Sequence, residues 1–262
     1  MHLSLPPFWA SWLPASARNP SDVSKVSSLS SSLSLSQLIQ TQTARTLRAF
    51  KGRLVPLASP LATELRIDVH TGPEAIANEL DSLHGRLHTP GDSMHGIEHL
   101  SLFDDPRFTV HYREADGEHY VYIEDTLEQR LAGYTVFNRL IEINKRADRF
   151  LRAPHSKFAP EYQRRGLATA VYRWALDGGQ CLMTGARQSD GAHALWDRLA
   201  RDYEQGYVHL QDKTVTYLGT EVDDERLMDD LNTRRILLGK GWSIEGLATS
   251  ARMLIAEEAV CA

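Results

Sequence analysis

The sequence predicts an α/β protein with a mixed, mainly antiparallel central sheet flanked by helices, preceded by a disordered N-terminal leader. Three observations carry that reading. Residues 108–138 contain three short strand-like runs separated by turn residues, the pattern of a β-meander. From Gly166 the apolar spacing becomes i, i+3, i+4, i+7, which is helical. Strand and helix patterns then alternate, which places helices across a sheet that began as a meander.

The leader comes first. Residues 1–60 hold six basic side chains against one acid, Asp22, and nine of the sixteen positions from Ser21 to Ser36 are serine. Such a stretch buries too little apolar surface to offset its ordering entropy. Met1–Leu13 has no Lys or Arg and is broken by Pro6-Pro7, so it lacks the form of a secretory signal. Serine-rich, acid-poor leaders are similar to organelle transit peptides and to the export signals of bacterial effectors injected into host cells. An ordinary flexible tail is the plainer reading, and a short amphipathic helix over residues 33–50 is weakly patterned.

The folded part is expected from Leu61. Glu64–His70 alternates as a strand, and Thr71-Gly-Pro-Glu74 reads as a capped helix start with proline in the first turn. Ile76, Leu80, Leu83 and Leu87 then mark an amphipathic helix over 73–87. Strands follow at 108–113, 120–125 and 131–138, the first two joined through Asp116-Gly117. Residues 149–159 read as another strand whose pairing Pro154 limits. A helix from Gly166 ends at Gly178-Gly179, and 181–184 is a short strand. A helix around 191–201, a hairpin at 207–218 turning on Asp212-Lys213, and a last helix over 224–238 complete the chain. The implied organisation is a leader (1–60), a main domain (61–220) and a C-terminal helical extension (221–262).

Composition bounds the function. The 262 residues carry a net charge of −5, with 42% hydrophobic and 24% charged residues. No apolar run approaches the roughly 20 residues a membrane-spanning helix needs. An acidic body argues against nucleic acid as a partner. Only Cys181 and Cys261 are present, too few for a disulfide framework or a four-cysteine zinc site, so a reducing, cytoplasmic setting is the simplest expectation.

Chemistry is sought at the strand-to-helix turn Phe158-Ala-Pro-Glu-Tyr-Gln163-Arg-Arg-Gly166-Leu-Ala-Thr169. The first N–H groups of a helix lack internal acceptors and carry the positive end of its dipole, so this loop is suited to a pyrophosphate. Gly166 lets the main chain approach the anion, and Arg164 and Arg165 add charge. The single glycine excludes the dinucleotide fingerprint, and no Gly-Lys-Ser/Thr makes a Walker loop.

Gln163-Arg-Arg-Gly166-Leu-Ala168 resembles the acyl-coenzyme-A signature (Q/R-x-x-G-x-G/A) of the GNAT superfamily of N-acetyltransferases. Ser189-Asp-Gly-Ala192-His-Ala-Leu195-Trp196 is similar to that family's second cofactor segment, and the likeness extends over about residues 64–220. The resemblance implies acetyl-CoA as co-substrate and direct attack by an amine of a small molecule or protein, with no membrane or nucleic-acid partner. Amides of Arg164, Arg165, Gly166, Leu167, Ala168 and Thr169 would hold the pyrophosphate. The strand end at Phe158 and Ala159 would pair with the pantetheine arm, while Gln163, Ser189, Ala192 and Trp196 complete the cofactor set.

Trp196 stands where the family often has an acidic tyrosine, so Tyr203, two turns along the same predicted helix, becomes the substitute acid. His155 is the candidate base, ahead of Glu142 and Glu124; Glu161 reads as solvent-facing. No resident metal belongs to this reading. Two alternatives stand beside it: a degenerate module that binds without turnover, and a zinc protease built on His95-Gly-Ile-Glu98-His99, an H-x-x-E-H pattern in a region holding six of the eleven histidines.

Overall fold

The computed structural model describes residues 72–256. The leader, the strand expected at 64–70 and Cys261 therefore lie outside the described residues. Helix α1 occupies Pro73–Leu87, and its N-cap is Gly72 with no side-chain capping bond; Pro73 supplies the preset φ of the first turn. The threonine-to-glutamate capping pattern thus does not mark the observed cap.

A short edge strand β1 (Glu98–Leu100), unannounced by its sequence, leads into β2 (Phe108–Ala115), β3 (Glu118–Asp125) and β4 (Arg130–Asn138), all paired antiparallel in turn. Asp116 and Gly117 both take positive φ, 55° and 77°, in the two-residue turn between β2 and β3. That is the turn type whose twist matches a hairpin. A single 3-10 turn (Ala147–Arg149) precedes β5 (Leu151–Phe158).

Then follow α2 (Leu167–Asp177), β6 (Cys181–Met183), α3 (Asp190–Leu199), β7 (Gln205–Gln211) and β8 (Thr214–Gly219). The remainder is α4 (Glu225–Met228), β9 (Thr233–Leu237), α5 (Ile244–Ala251) and β10 (Leu254–Ile255). Among the described residues the sheet runs β1-β2-β3-β4-β5-β6-β9-β7-β8-β10. Only β5–β6 and β8–β10 pair in parallel, so the mixed, mainly antiparallel sheet flanked by helices is as expected.

The helix expected over 224–238 is not formed. Asp230 accepts from the Asn232 amide at 2.8 Å, an Asx turn that stops α4 after one turn. Residues 233–237 then enter the sheet between β6 and β7. Residues 221–256 are consequently part of the sheet architecture, not a helical extension.

Among the described residues the core falls into two clusters. One gathers α1, α2 and β2–β4 with Trp196 and Leu199 of α3; the other gathers Cys181, Met183, Val208 and Ile236 against α5. Cys181 is fully buried, and burial pushes its thiol up to about 12, as fits a small hydrophobe rather than a nucleophile.

Candidate functional site

The 159–169 segment is held from three sides. A single 3-10 turn (Pro160–Tyr162) follows β5, and the Tyr162 hydroxyl donates to Asp125 Oδ2 at 2.7 Å. Arg107 Nε donates to the same oxygen at 2.7 Å, and the Leu127 and Glu128 amides donate to Asp125 Oδ1. Burial alone would raise the Asp125 carboxyl, but the Arg107 and Tyr162 donors outweigh it and hold it at about 2. Glu161 pairs with Arg130 at 2.7 Å on the surface. Gln163 Nε2 donates to the Phe158 carbonyl at 3.0 Å, closing the loop back onto β5.

The turn itself is open. Arg164 (φ 58°) and Gly166 (φ 83°) are both left-handed, and Arg165 lies 5.7 Å from the Tyr162 ring centroid. Gly166 is the N-cap of α2, and no side chain caps the helix start. The first bond inside the helix runs from the Ala170 amide to the Gly166 carbonyl at 2.9 Å. The Leu167, Ala168 and Thr169 amides precede it and have no acceptor within the helix. Arg164 and Arg165 are exposed, Gly166 and Ala168 half-exposed, and a Cβ at Gly166 would meet nothing within 4 Å.

Strand β5 splits from its neighbour just before this turn. It pairs with β6 only at Leu151↔Cys181 and Arg152↔Leu182, while it pairs with β4 along residues 153–158. The Ala159 amide donates to the Ala132 carbonyl at 3.0 Å. Hydrogen-bonded pairs alternate along an antiparallel ladder, so Lys157, His155 and Ala153 bond β4. The main chain of Phe158, Ser156 and Pro154 therefore faces the β6 side. Pro154 brings no N–H to that side, which gives the lapse in pairing a local cause.

His155 and Lys157 share one face of β5. Lys157 Nζ donates to Glu79 of α1 at 2.7 Å, and the Tyr134 hydroxyl donates to the same carboxylate at 2.6 Å. Burial, with the Lys157 ammonium beside it, lowers His155 below the ordinary histidine value despite Glu79. On the other face, Ser156 Oγ lies 2.8 Å from Thr135 Oγ1 and 3.4 Å from the Tyr172 hydroxyl of α2.

The α3 residues fall differently. Ser189 is the N-cap, its hydroxyl accepting from the Ala192 amide at 3.3 Å. Trp196 is 2% exposed and packs in the core with α2. Tyr203 is not on this helix, which ends at Leu199. Its hydroxyl donates to Asp177 Oδ1 at 3.0 Å, at the far end of α2 from Gly166, roughly 15 Å along the helix axis. Burial and the Asp177 carboxylate raise the Tyr203 phenol, making it a poorer acid.

The helix required by the zinc-protease pattern does not form either. His95 is in a turn, donating from Nδ1 to the Leu87 carbonyl at 3.1 Å, and Glu98-His99 belong to β1. Gly96 takes φ 71°, which a helix interior does not accommodate. Asp125 as the anchor of the loop went unnoticed from sequence, although it sits beside the turn that closes β3.

No family model matches the chain, and no curated protein does. Among solved structures it is similar to a mutant of Vibrio cholerae spermidine N-acetyltransferase SpeG, at 19% identity over 50% of this chain and 70% of that one, with a TM-score of 0.29. A chimera of that enzyme with hSSAT gives 20% identity over 47% and 68%, with a TM-score of 0.28. Likeness at that level bears on neither activity nor substrate.

Proposed function

We propose that the chain is an acetyl-CoA-dependent N-acetyltransferase. The observation that carries this reading is an uncapped, solvent-open helix start, at Gly166, placed directly after a strand split from its parallel neighbour. Bare amides at a dipole's positive end suit a pyrophosphate, and Arg164 and Arg165 flank them. The β6-facing main chain at Ser156 supplies hydrogen-bonding groups to an extended, amide-bearing arm lying in the split, as a further strand would.

In this reading the amine attacks the thioester carbonyl, the C–N bond forms and the C–S bond breaks. The attacking nitrogen must lose a proton and the departing sulfur can gain one. His155, held neutral by burial, is the candidate acceptor of that proton. The acceptor substrate is an amine-bearing small molecule or protein. A second reading, a module that binds acetyl-CoA without turnover, is favoured by the same two findings that weaken the acid: Trp196 is core, and the Tyr203 hydroxyl is engaged by Asp177.

One experiment separates them. Acetyl-CoA at 100 times its Kd should stabilise the chain by about 2.7 kcal/mol, and thiol release should follow with a panel of polyamines, amino acids and lysine peptides. Stabilisation without thiol release favours the binding module. Absence of any stabilisation overturns both.

A further inference from the structure

We propose that His84, His88 and Glu124 form a binding site for a divalent transition metal ion, zinc in the first instance, with His111 orienting the ligating carboxylate. The site shares no residue with the 159–169 loop and stands whatever that loop binds. His84 lies in the last turn of α1 and His88 is its C-cap, four residues on. That spacing stacks both imidazoles on one side of the helix, with ring centroids 4.6 Å apart.

Both rings converge on one oxygen. His84 Nε2 lies 3.0 Å and His88 Nε2 2.8 Å from Glu124 Oε1, and the three candidate ligand atoms all lie within 4.8 Å of one another. Ligands about 2.0–2.2 Å from a tetrahedral zinc stand roughly 3.4 Å from each other. Admitting the ion therefore asks only for small shifts of side chains already aimed at one point. The donor chemistry also fits. Two imidazoles and a carboxylate suit zinc and its borderline neighbours, and leave the fourth position for water.

The carboxylate is supported as ligating carboxylates are. Its other oxygen, Oε2, lies 2.7 Å from His111 Nε2, and His111 is 7% exposed with the His99 ring edge-on at 4.6 Å. Such a second layer fixes the orientation of the ligand and raises affinity. Glu124 itself is buried on β3 beside a bulge at Ile123/Glu124, so its backbone is set by pairing on both flanks. Solvent reaches the site through the His88 side chain, which is 54% exposed. A purely structural partner for Glu124 would not need an exposed third imidazole, since His111 alone buries with it.

The test uses the untagged full chain, stripped with chelator and titrated with zinc alone by calorimetry, with metal content measured after dialysis. One zinc per chain is expected, with a rise in Tm that chelator reverses. Cobalt in its place should show the intense visible bands of a four- or five-coordinate ion. His88→Ala, whose exposed side chain leaves folding intact by circular dichroism, should weaken binding at least 100-fold, and Glu124→Gln likewise. His111→Asn should weaken it by roughly 10–100-fold, the effect of losing an outer-layer partner. Glu98→Gln, in the sequence motif but outside this site, should retain full binding. Absence of stoichiometric zinc in the wild type overturns the proposal, and so does binding that survives His88→Ala and Glu124→Gln or is lost with Glu98→Gln.

Discussion

Replacing Gly166 by valine separates folding from ligand binding at the proposed anion site. Gly166 sits at φ 83°, so an L side chain there is strained, but its Cβ would meet no atom within 4 Å. The cost to the unliganded protein is therefore conformational alone, about 2 kcal/mol. For a chain of this size that lowers Tm by roughly 4–8 °C. Bound diphosphate would have to approach the same amides, and the added methyl groups occupy that approach. Saturating acetyl-CoA should raise the wild-type Tm by roughly 5–10 °C and the variant's by almost nothing. Gly91→Val is the control, because Gly91 has φ 89° and equally open surroundings but lies outside the loop. It should lose the same intrinsic stability and keep the full response. Differential scanning fluorimetry with and without acetyl-CoA reads all three proteins. An undiminished ligand response in Gly166→Val, or its loss in Gly91→Val, would refute the reasoning.

Three further outcomes are expected. Asp125→Ala leaves Arg107 and Tyr162 without their shared acceptor beneath the loop; urea unfolding should show a loss of about 3 kcal/mol, and unchanged stability would remove Asp125 as the anchor. Gly133→Ala places a Cβ 2.3 Å from the Phe158 ring and 2.6 Å from the Lys157 carbonyl, so β4 and β5 must part, at about 3 kcal/mol by the same assay. His119 is 3% exposed, and burial with Arg152 nearby pushes it down to about 4. The unfolded chain takes up a proton near 6.5 while the folded His119 stays neutral, so stability falls as pH drops through this window. Between pH 6.5 and roughly pH 5 the wild type should lose about 2 kcal/mol more than His119→Gln; equal slopes would show that His119 is not the source.

Much of the fold was legible because its signals are local. Proline at the start of α1, the Asp116-Gly117 and Asp212-Lys213 turns, and the change of period at Gly166 each act within a few residues. Pro154 also announced the limited pairing of β5. What was hidden depends on distant partners. The stretch before β9 reads as helix because Glu225–Met228 does form one turn, and the strand then buries Arg234, 6% exposed, on a face where alternation would call for an apolar residue. Tyr203 was misplaced because the residues after Leu199 keep helical composition while the chain turns away. The histidine cluster spans the end of α1, β2 and β3. Its one local signal is the four-residue spacing of His84 and His88.

The lapse in pairing after Arg152 has a consequence for how this region tolerates change. An extended guest completing the ladder at Ser156 would be read through peptide groups, which every residue except proline carries alike. Side chains along β5 can then drift in identity without altering what is recognised, provided the missing N–H at Pro154 and the turn at Gly166 persist. Saturation mutagenesis should accordingly find these two positions intolerant and Ala153 and Lys157 permissive for ligand retention, an inversion of the usual rule that the chemistry of a binding groove resides in its side chains.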